Sequence, residues 1–209
     1  DPEAGEVVDA IRAGAVGAAL AVIEAAREGR AREALAALGA FRLLCAHRRG
    51  PHGVETWIAR IEAWLAEDVE RFGAEGPWYA GRPLLVTEND HALRLYNGDT
   101  GVVVAGADGR TVAAFERGGE VVELHPSRLS AVETAFAMTV HKSQGSQFDT
   151  VAVLLPDASS PLLTRELLYT AVTRSRRRLV LVGTEEAVRA AVERPVARAS
   201  GLRARLWGA

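Results

Sequence analysis

The stretch that decides the fold of this chain reads TVHKSQGSQFD and occupies residues 139–149. This first polar block places hydroxyl, imidazole, ammonium and amide groups around Gly145, and an apolar run at residues 151–155 follows it. Such a loop, rich in hydrogen-bond donors, suits phosphate oxygens. An ordinary polar loop with a glycine turn fits equally well, and the residues of this block alone leave both interpretations open.

A second polar block reads YTAVTRSRRR and occupies residues 169–178. Within it, Arg174 is the candidate for phosphate chemistry, because a planar guanidinium binds phosphate through two parallel hydrogen bonds and stabilises charge in phosphoryl transfer. The run of arginines at residues 176–178 is typical of a solvated face instead. The two blocks therefore define a candidate site that binds phosphate groups.

The hydrophobic pattern around the two blocks predicts an α/β domain with a parallel sheet. A buried strand at residues 41–46 leads through a basic loop, rich in glycine and proline, into an amphipathic helix at 54–72. Further strands are predicted at 134–138, 151–155 and 179–182, with helices at 164–174 and 185–194. Glycines interrupt residues 6–38, so two or three short helices are predicted there.

Short strands with glycine turns occupy the middle of the chain. Strand-like runs at residues 102–105, 111–115 and 121–124 alternate with turn signals such as Asn97-Gly98. Regular short strands of this kind are typical of a small antiparallel barrel. We predict such a barrel at 95–133, inserted into the α/β domain.

The hydrophobic content and the charge of the chain limit the kinds of protein to which it can belong. Hydrophobic residues make up 48% of the 209 residues, and the net charge is −2, which argues against strong non-specific binding to nucleic acid. Positive charge nevertheless gathers around the two blocks, since residues 139–209 carry 11 Lys and Arg against 6 Asp and Glu. The chain begins at Asp1 without an initiator Met, which predicts a segment of a longer protein.

Several chemistries and locations are disfavoured by the sequence. No apolar run is long enough for a bilayer, no signal peptide is visible, and Cys45 is the single cysteine, so a cytoplasmic protein without membrane contact is predicted. The histidines and Cys45 lack the spacing of a metal site. No G-x-x-x-x-G-K-[ST] phosphate-binding loop occurs in the sequence, so these residues lack one essential part of an ATPase.

Five segments in the same order resemble RecD-type superfamily 1 DNA helicases, the helicase subunits of the bacterial exodeoxyribonuclease V complex. They read LCAHRRGPHG at 44–53, GRP at 81–83, NGDTG at 97–101, and the two polar blocks, which resemble motifs V and VI. The resemblance covers most of the chain from about residue 38, and residues 199–203 look like the C-terminal tail of that family.

This resemblance implies a particular architecture. We expect the second RecA-like motor domain of a P-loop NTPase type, formed by residues 36–94 and 134–209. The barrel at 95–133 would be SH3-like. Residues 1–35 would form a helical lead-in or a linker.

The resemblance also implies roles for the first polar block. Thr139 and His141 would contact single-stranded DNA, although a structural role for His141 is the alternative. Gln144, Gly145 and Gln147 would face the nucleotide. The family usually has Glu at the position of Gln147. A glutamine amide can still hydrogen-bond a ribose hydroxyl, but it brings no negative charge.

Two arginines are implied to reach the γ-phosphate of ATP. Arg174 would be the arginine finger of motif VI, and Arg48, by resemblance to motif IV, would be a second phosphate sensor. Arg49 is an alternative to Arg48, and a plain surface pair of arginines is another. Asn89 and Asn97 would either contact DNA or form asparagine turns.

The implied function is that of one motor half of an ATP-dependent 5′→3′ DNA helicase. ATP with Mg²⁺ would lie between this half and an N-terminal RecA-like half that holds most of the Mg²⁺ ligands. Single-stranded DNA and sister subunits of exodeoxyribonuclease V are the expected partners. Two alternatives stay open: a non-catalytic module that binds DNA or docks onto subunits, and the same half of a stand-alone RecD-like or relaxase-type helicase.

Overall fold

A computed structural model describes residues 5–196 of the chain. The helices are α1 (Gly5–Arg27), α2 (Ala31–Ala37), α3 (Val54–Asp68), α4 (Arg165–Val172) and α5 (Glu185–Glu193). The strands are β1 (Phe41–Cys45), β2 (Pro83–Val86), β3 (Thr100–Ala105), β4 (Thr111–Arg117), β5 (Glu120–Leu124), β6 (Val132–Thr134), β7 (Ala137–Thr139), β8 (Phe148–Leu154) and β9 (Ser175–Val182). They form two separate sheets.

The first sheet is parallel, in the order β7-β1-β8-β9. Its central strands read as nearly continuous apolar runs, because helices cover both faces of the sheet. Leu43 and Cys45 of β1 belong to the core on the side of α1 and α3. Leu44 points to the opposite core, which contains residues of α4 and α5. The predicted α/β fold with a parallel sheet is confirmed.

The second sheet is antiparallel, in the order β5-β4-β3-β2-β6. Strands β2 and β6 are neighbours in this sheet, and Leu84 of β2 pairs with Thr134 of β6. The sheet therefore extends beyond the predicted insertion at 95–133 and includes residues assigned to the α/β domain. Strands β3, β4 and β5 match the predicted runs, while closure into an SH3-like barrel and the domain boundaries stay predictions.

Two helices, α1 and α2, lie in the stretch 6–38 for which two or three were predicted, but α1 is not short, because its 23 residues pass Gly14 and Gly17 without a break. The misleading signal was glycine. A Cβ atom at Gly14 would lie 2.6 Å from the ring of Phe41, so this glycine permits close packing of α1 on β1 instead of ending the helix. Helix α1 contributes Ile11 and Ile23 to the core of the parallel sheet and Val22 to the core beneath the antiparallel sheet.

Two further findings concern the ends of the chain and membranes. None of the helices within residues 5–196 combines the length and apolar character needed to cross a membrane. The tail-like segment at 199–203 lies outside the described residues.

Candidate functional site

The first polar block connects opposite ends of two parallel strands. Thr139 ends β7 beside Cys45, whereas Phe148 begins β8 beside Ser175, the first residue of β9. Because β7 and β8 both run parallel to β1, the segment 140–147 must travel from the carboxyl ends of the strands to their amino ends. We call residues 140–147 the crossover segment. The start of the first polar block therefore lies at the carboxyl ends of the strands, and its end lies at their amino ends.

At the carboxyl ends, a tight turn organises the start of the crossover segment. The Oγ1 atom of Thr139 accepts a hydrogen bond from the backbone N–H of Lys142 at 3.3 Å. Ser143 is fully buried and donates from Oγ to the carbonyl of Val140 at 2.7 Å. His141 between them is exposed. The turn therefore fixes the backbone and leaves the His141 imidazole in solvent, where it is available to a ligand.

At the amino ends, the second half of the crossover segment lies open to solvent. Gln144, Gly145 and Gln147 are all exposed. Gly145 has φ of +89°, a left-handed conformation that residues with a side chain rarely adopt. The glycine thus allows a sharp turn between the two glutamines.

Arg174 is held rigidly against the crossover segment. Its guanidinium donates to the carbonyl of Ser146 at 3.0 Å, to the carbonyl of Thr170 at 3.0 Å, and to Oγ1 of Thr173 at 3.1 Å. In addition, the backbone N–H of Phe148 donates to the Arg174 carbonyl at 2.8 Å. An arginine has five N–H donors, so two remain for a ligand once these three bonds are made. The two polar blocks meet at this residue.

Arg48 lies at the other edge of the sheet. It follows the carboxyl end of β1, whereas Arg174 precedes the amino end of β9. The seven residues of β8 separate the two edges, which corresponds to about 20 Å. The structure therefore does not bring Arg48 and Arg174 together, and the expectation that both reach one γ-phosphate finds no support within this chain.

Arg48 instead shares a carboxylate with the crossover segment. Its Nη2 lies 3.0 Å from Oε1 of Glu133, and Nζ of Lys142 lies 2.6 Å from Oε2 of the same residue. Partial burial alone would raise the pKa of Glu133, but the bonds to Lys142 and then to Arg48 hold this pKa below its usual value. Glu133 is consequently ionised at neutral pH. Arg49 makes a looser pair with Glu55 at 3.5 Å.

The asparagines belong to a turn beside the antiparallel sheet. Oδ1 of Asn89 accepts a hydrogen bond from the backbone N–H of Asn97 at 2.8 Å, and a carboxylate oxygen of Asp99 accepts from the N–H of Tyr96 at 2.8 Å. Both asparagines are exposed. Asn89 thus has a structural role as a turn residue, and the predicted DNA contacts of Asn89 and Asn97 stay predictions.

Two residues of the site region, Glu133 and Arg42, are not among the predicted site residues. Glu133 is separated from Arg48 by 85 positions, so no local pattern relates them. Arg42 is 3% exposed and packs its guanidinium 4.8 Å from the ring centroid of Phe148. A charge inside a predicted apolar strand was the available signal for Arg42. Within residues 5–196, no cluster of three or more His, Cys, Asp or Glu side chains is arranged to hold a metal ion.

Comparison with known proteins gives the family. The model of the UvrD-like helicase C-terminal domain matches residues 134–182, which include both polar blocks. Over 196 residues, or 94% of its length, the chain is 56% identical to the RecBCD enzyme subunit RecD of Mycobacterium tuberculosis. The chain belongs to the RecD family.

Other members of the RecD family show the same relation. The RecD subunit of Mycolicibacterium smegmatis is 53% identical over 199 residues, or 95% of this chain. The ATP-dependent RecD2 DNA helicase of Deinococcus radiodurans is 35% identical over 158 residues, or 75% of this chain. The chain spans about a third of the two mycobacterial RecD subunits, 34% and 35% of their lengths, and 22% of the Deinococcus protein.

A more distant similarity relates this chain to a helicase of known structure. The Pif1 helicase from Bacteroides, crystallised with ADP-AlF3 and single-stranded DNA, aligns with 71% of this RecD-family chain and 42% of its own chain. The TM-score is 0.41 and the sequence identity is 19%.

Proposed function

We propose that this chain is the C-terminal motor half of an ATP-dependent 5′→3′ DNA helicase, the RecD subunit of an exodeoxyribonuclease V complex. The proposal includes a second RecA-like domain with an SH3-like barrel. The observation that carries it is the hydrogen bond from Arg174 to the carbonyl of Ser146, because it joins the two blocks that resemble motifs V and VI. Membership of the RecD family supports the same conclusion.

The nucleotide would bind at the amino ends of the parallel strands. Three hydrogen bonds within the chain orient the Arg174 guanidinium before ATP arrives. Its two remaining N–H donors are then available to charge that develops on the γ-phosphate, so little reorganisation is needed at the moment of reaction. Gln144, Gly145 and Gln147 are exposed and would contact the nucleotide.

ATP and Mg²⁺ would be held mainly by the other half of the motor. The 209 residues include no Walker loop, and Gln147 provides an amide where a negative charge is usual in the family. An amide does not attract Mg²⁺ as a carboxylate does. When bound, Mg²⁺ would neutralise charge on the phosphates, and this chain would contribute the arginine finger.

Single-stranded DNA would bind at the carboxyl ends of the strands. Thr139 and His141 lie there, and the imidazole is exposed. The crossover segment connects this edge directly to the nucleotide edge. When the two motor halves close around ATP, the turn that contains Thr139 and His141 would therefore move along the DNA strand. A cytoplasmic location and contacts with sister subunits are part of the same proposal.

The test is the ATPase activity of the full-length protein that contains this segment, measured with and without single-stranded DNA. We expect Arg174→Ala to lower the DNA-stimulated kcat by about 10³-fold, because an arginine finger contributes at least this much. Arg174→Lys should lower it nearly as far, since an ammonium cannot make the same set of bonds.

Arg178→Ala is the matched control. Arg178 lies on the exposed face of β9, four residues away, and its loss should leave kcat within a factor of about 2. An unchanged kcat in Arg174→Ala would remove the arginine finger from the proposal. It would favour the alternative of a non-catalytic module that binds DNA.

A further inference from the structure

Arg48, Glu133 and Lys142 form an ion cluster that joins three separate parts of the fold. Arg48 follows β1, Glu133 lies in β6 of the antiparallel sheet, and Lys142 lies in the crossover segment. Each oxygen of the Glu133 carboxylate pairs with a different cation, at 3.0 Å and 2.6 Å. Two cations from different loops thus converge on a single anion.

The cluster is open to solvent and lies in positive surroundings. The Arg48 side chain is 62% exposed, the Glu133 side chain 43% and the Lys142 side chain 27%, so Arg48 is the more accessible of the two cations. The loop after β1 forms an open depression lined by His47, Arg48 and Arg49. His141, exposed at the same edge of the sheet, adjoins Lys142 in sequence. An anion can therefore approach the two cations without any change in the fold.

We propose that Arg48 and Lys142 form a binding site for a backbone phosphate of single-stranded DNA, and that the Glu133 carboxylate occupies this site when DNA is absent. The proposal rests on the DNA-binding function proposed above and assigns to Arg48 a role different from γ-phosphate sensing.

Chemistry makes the carboxylate a substitute for the phosphate. A carboxylate and a phosphodiester each present two anionic oxygens on one central atom, and both bind arginine and lysine through charge-assisted hydrogen bonds. Because Arg48 and Lys142 both pair with the Glu133 carboxylate, their charged groups lie close enough together for one phosphate to contact both. Exposed ion pairs are weak, so an incoming phosphate displaces the carboxylate at little cost.

The position of the cluster distinguishes DNA from the other source of phosphate, the nucleotide. Arg48 and Lys142 lie at the carboxyl ends of the strands, close to Thr139. Arg174 lies at the amino ends, about 20 Å away. A γ-phosphate that contacts Arg174 is thus out of reach of Arg48 within this chain. A DNA backbone that passes Thr139 and His141 is next to the cluster.

The deciding experiment measures binding of a labelled oligothymidylate to the full-length protein over a series of salt concentrations. Glu133→Gln keeps the shape of the side chain and removes the competing charge, so we expect the Kd for DNA to fall by about 3- to 10-fold at low salt. One more unneutralised cation then meets phosphate, so the slope of log K against log salt should steepen by about 0.7. Arg48→Ala and Lys142→Ala should each weaken binding and flatten the slope by about the same amount.

The double variant Arg48→Ala with Glu133→Gln tests the site itself. Its affinity should show little of the gain seen with Glu133→Gln alone, since one of the two cations that the glutamate occupied is gone. Glu123→Gln is the matched control, because Glu123 is an exposed glutamate of the neighbouring antiparallel sheet. It carries no ion pair within the described residues and should leave Kd unchanged.

Three results would overturn the inference: weaker or unchanged DNA binding in Glu133→Gln, a gain that persists in the double variant, or an equal gain in Glu123→Gln. Affinity for a non-hydrolysable ATP analogue, measured without DNA, separates the two phosphate sources and should be the same in Glu133→Gln and wild type. Failure of the wild-type protein to bind the oligonucleotide would instead overturn the proposed function.

Discussion

Arg42 is a charged side chain buried in the middle of the parallel sheet. Its Nη2 donates to the carbonyl of Leu38 at 3.2 Å, while its Nε has no partner among the described residues. Burial lowers the pKa of Arg42 to about 10. A pKa lowered on folding means that the cost of burying the charge is fully present below about pH 10. The ring of Phe148 offsets part of this cost.

We expect Arg42→Met to raise the free energy of unfolding by about 1–2 kcal/mol at pH 7, because replacing a poorly paired buried charge by an apolar chain of similar length is often stabilising. Arg42→Ala removes the same charge but leaves a cavity, which should place it about 2–3 kcal/mol below Arg42→Met. Urea denaturation of the three proteins gives the comparison. A strong loss of stability in Arg42→Met would mean that the contact with Phe148 outweighs desolvation.

At the scale of single residues, the sequence marks candidate charges such as Arg174 but does not reveal their partners. The blocks containing Arg174 and Thr139 stand out because polar residues cluster beside apolar runs. Glu133 had no such signal, since its partners come from distant loops that only the strand order brings together. The separation of Arg48 from Arg174 has the same origin: both follow apolar elements, and only the topology reveals that they lie at opposite ends of the strands.

Helix α1 shows how glycine misleads at the scale of an element. Of its two internal glycines, Gly14 contacts Phe41, whereas a Cβ at Gly17 would have no neighbour within 4 Å. Sequence periodicity cannot distinguish a glycine that ends a helix from one that permits close packing. Helix α3, in contrast, was predictable, because Trp57, Ile61 and Leu65 follow helical spacing and are all buried.

The two glycines provide a matched pair of substitutions. Gly17→Ala should stabilise the protein by about 0.5–1 kcal/mol through helix propensity. Gly14→Ala gains the same propensity but drives a methyl group to 2.6 Å from the Phe41 ring, and overpacking of this kind costs about 1–3 kcal/mol. We therefore expect Gly14→Ala to lower the melting temperature and Gly17→Ala to raise it. Equal effects in a thermal melt would mean that Phe41 moves aside freely.

The whole molecule consists of two sheets that share α1. Residues of this helix pack in both the core of the parallel sheet and the core beneath the antiparallel sheet. The antiparallel sheet in turn supplies Glu133 to the edge where Thr139 lies. The fold class followed from the sequence because each element has a clear local period. The sharing of one helix by two sheets did not, because it depends on packing between distant segments.

On its own, the 209-residue chain should show no ATPase activity stimulated by single-stranded DNA, since its sequence contains no Walker loop. Adding the N-terminal half of the full-length protein should restore the activity. The N-terminal half alone is the control, and it should hydrolyse ATP no faster with DNA than without. DNA-stimulated hydrolysis by the isolated chain would contradict the division of labour proposed here.

The crossover segment has a mechanical consequence. From Thr139 to Phe148 it must span about 20 Å along the sheet and about 10 Å across two strand spacings, or about 22 Å in all. Nine backbone steps, three of them in the tight turn at His141–Ser143, reach about 26 Å at most. The connector therefore has about 4 Å of slack. A shift larger than this at the edge that contains Arg174 must pull on the edge that contains Thr139.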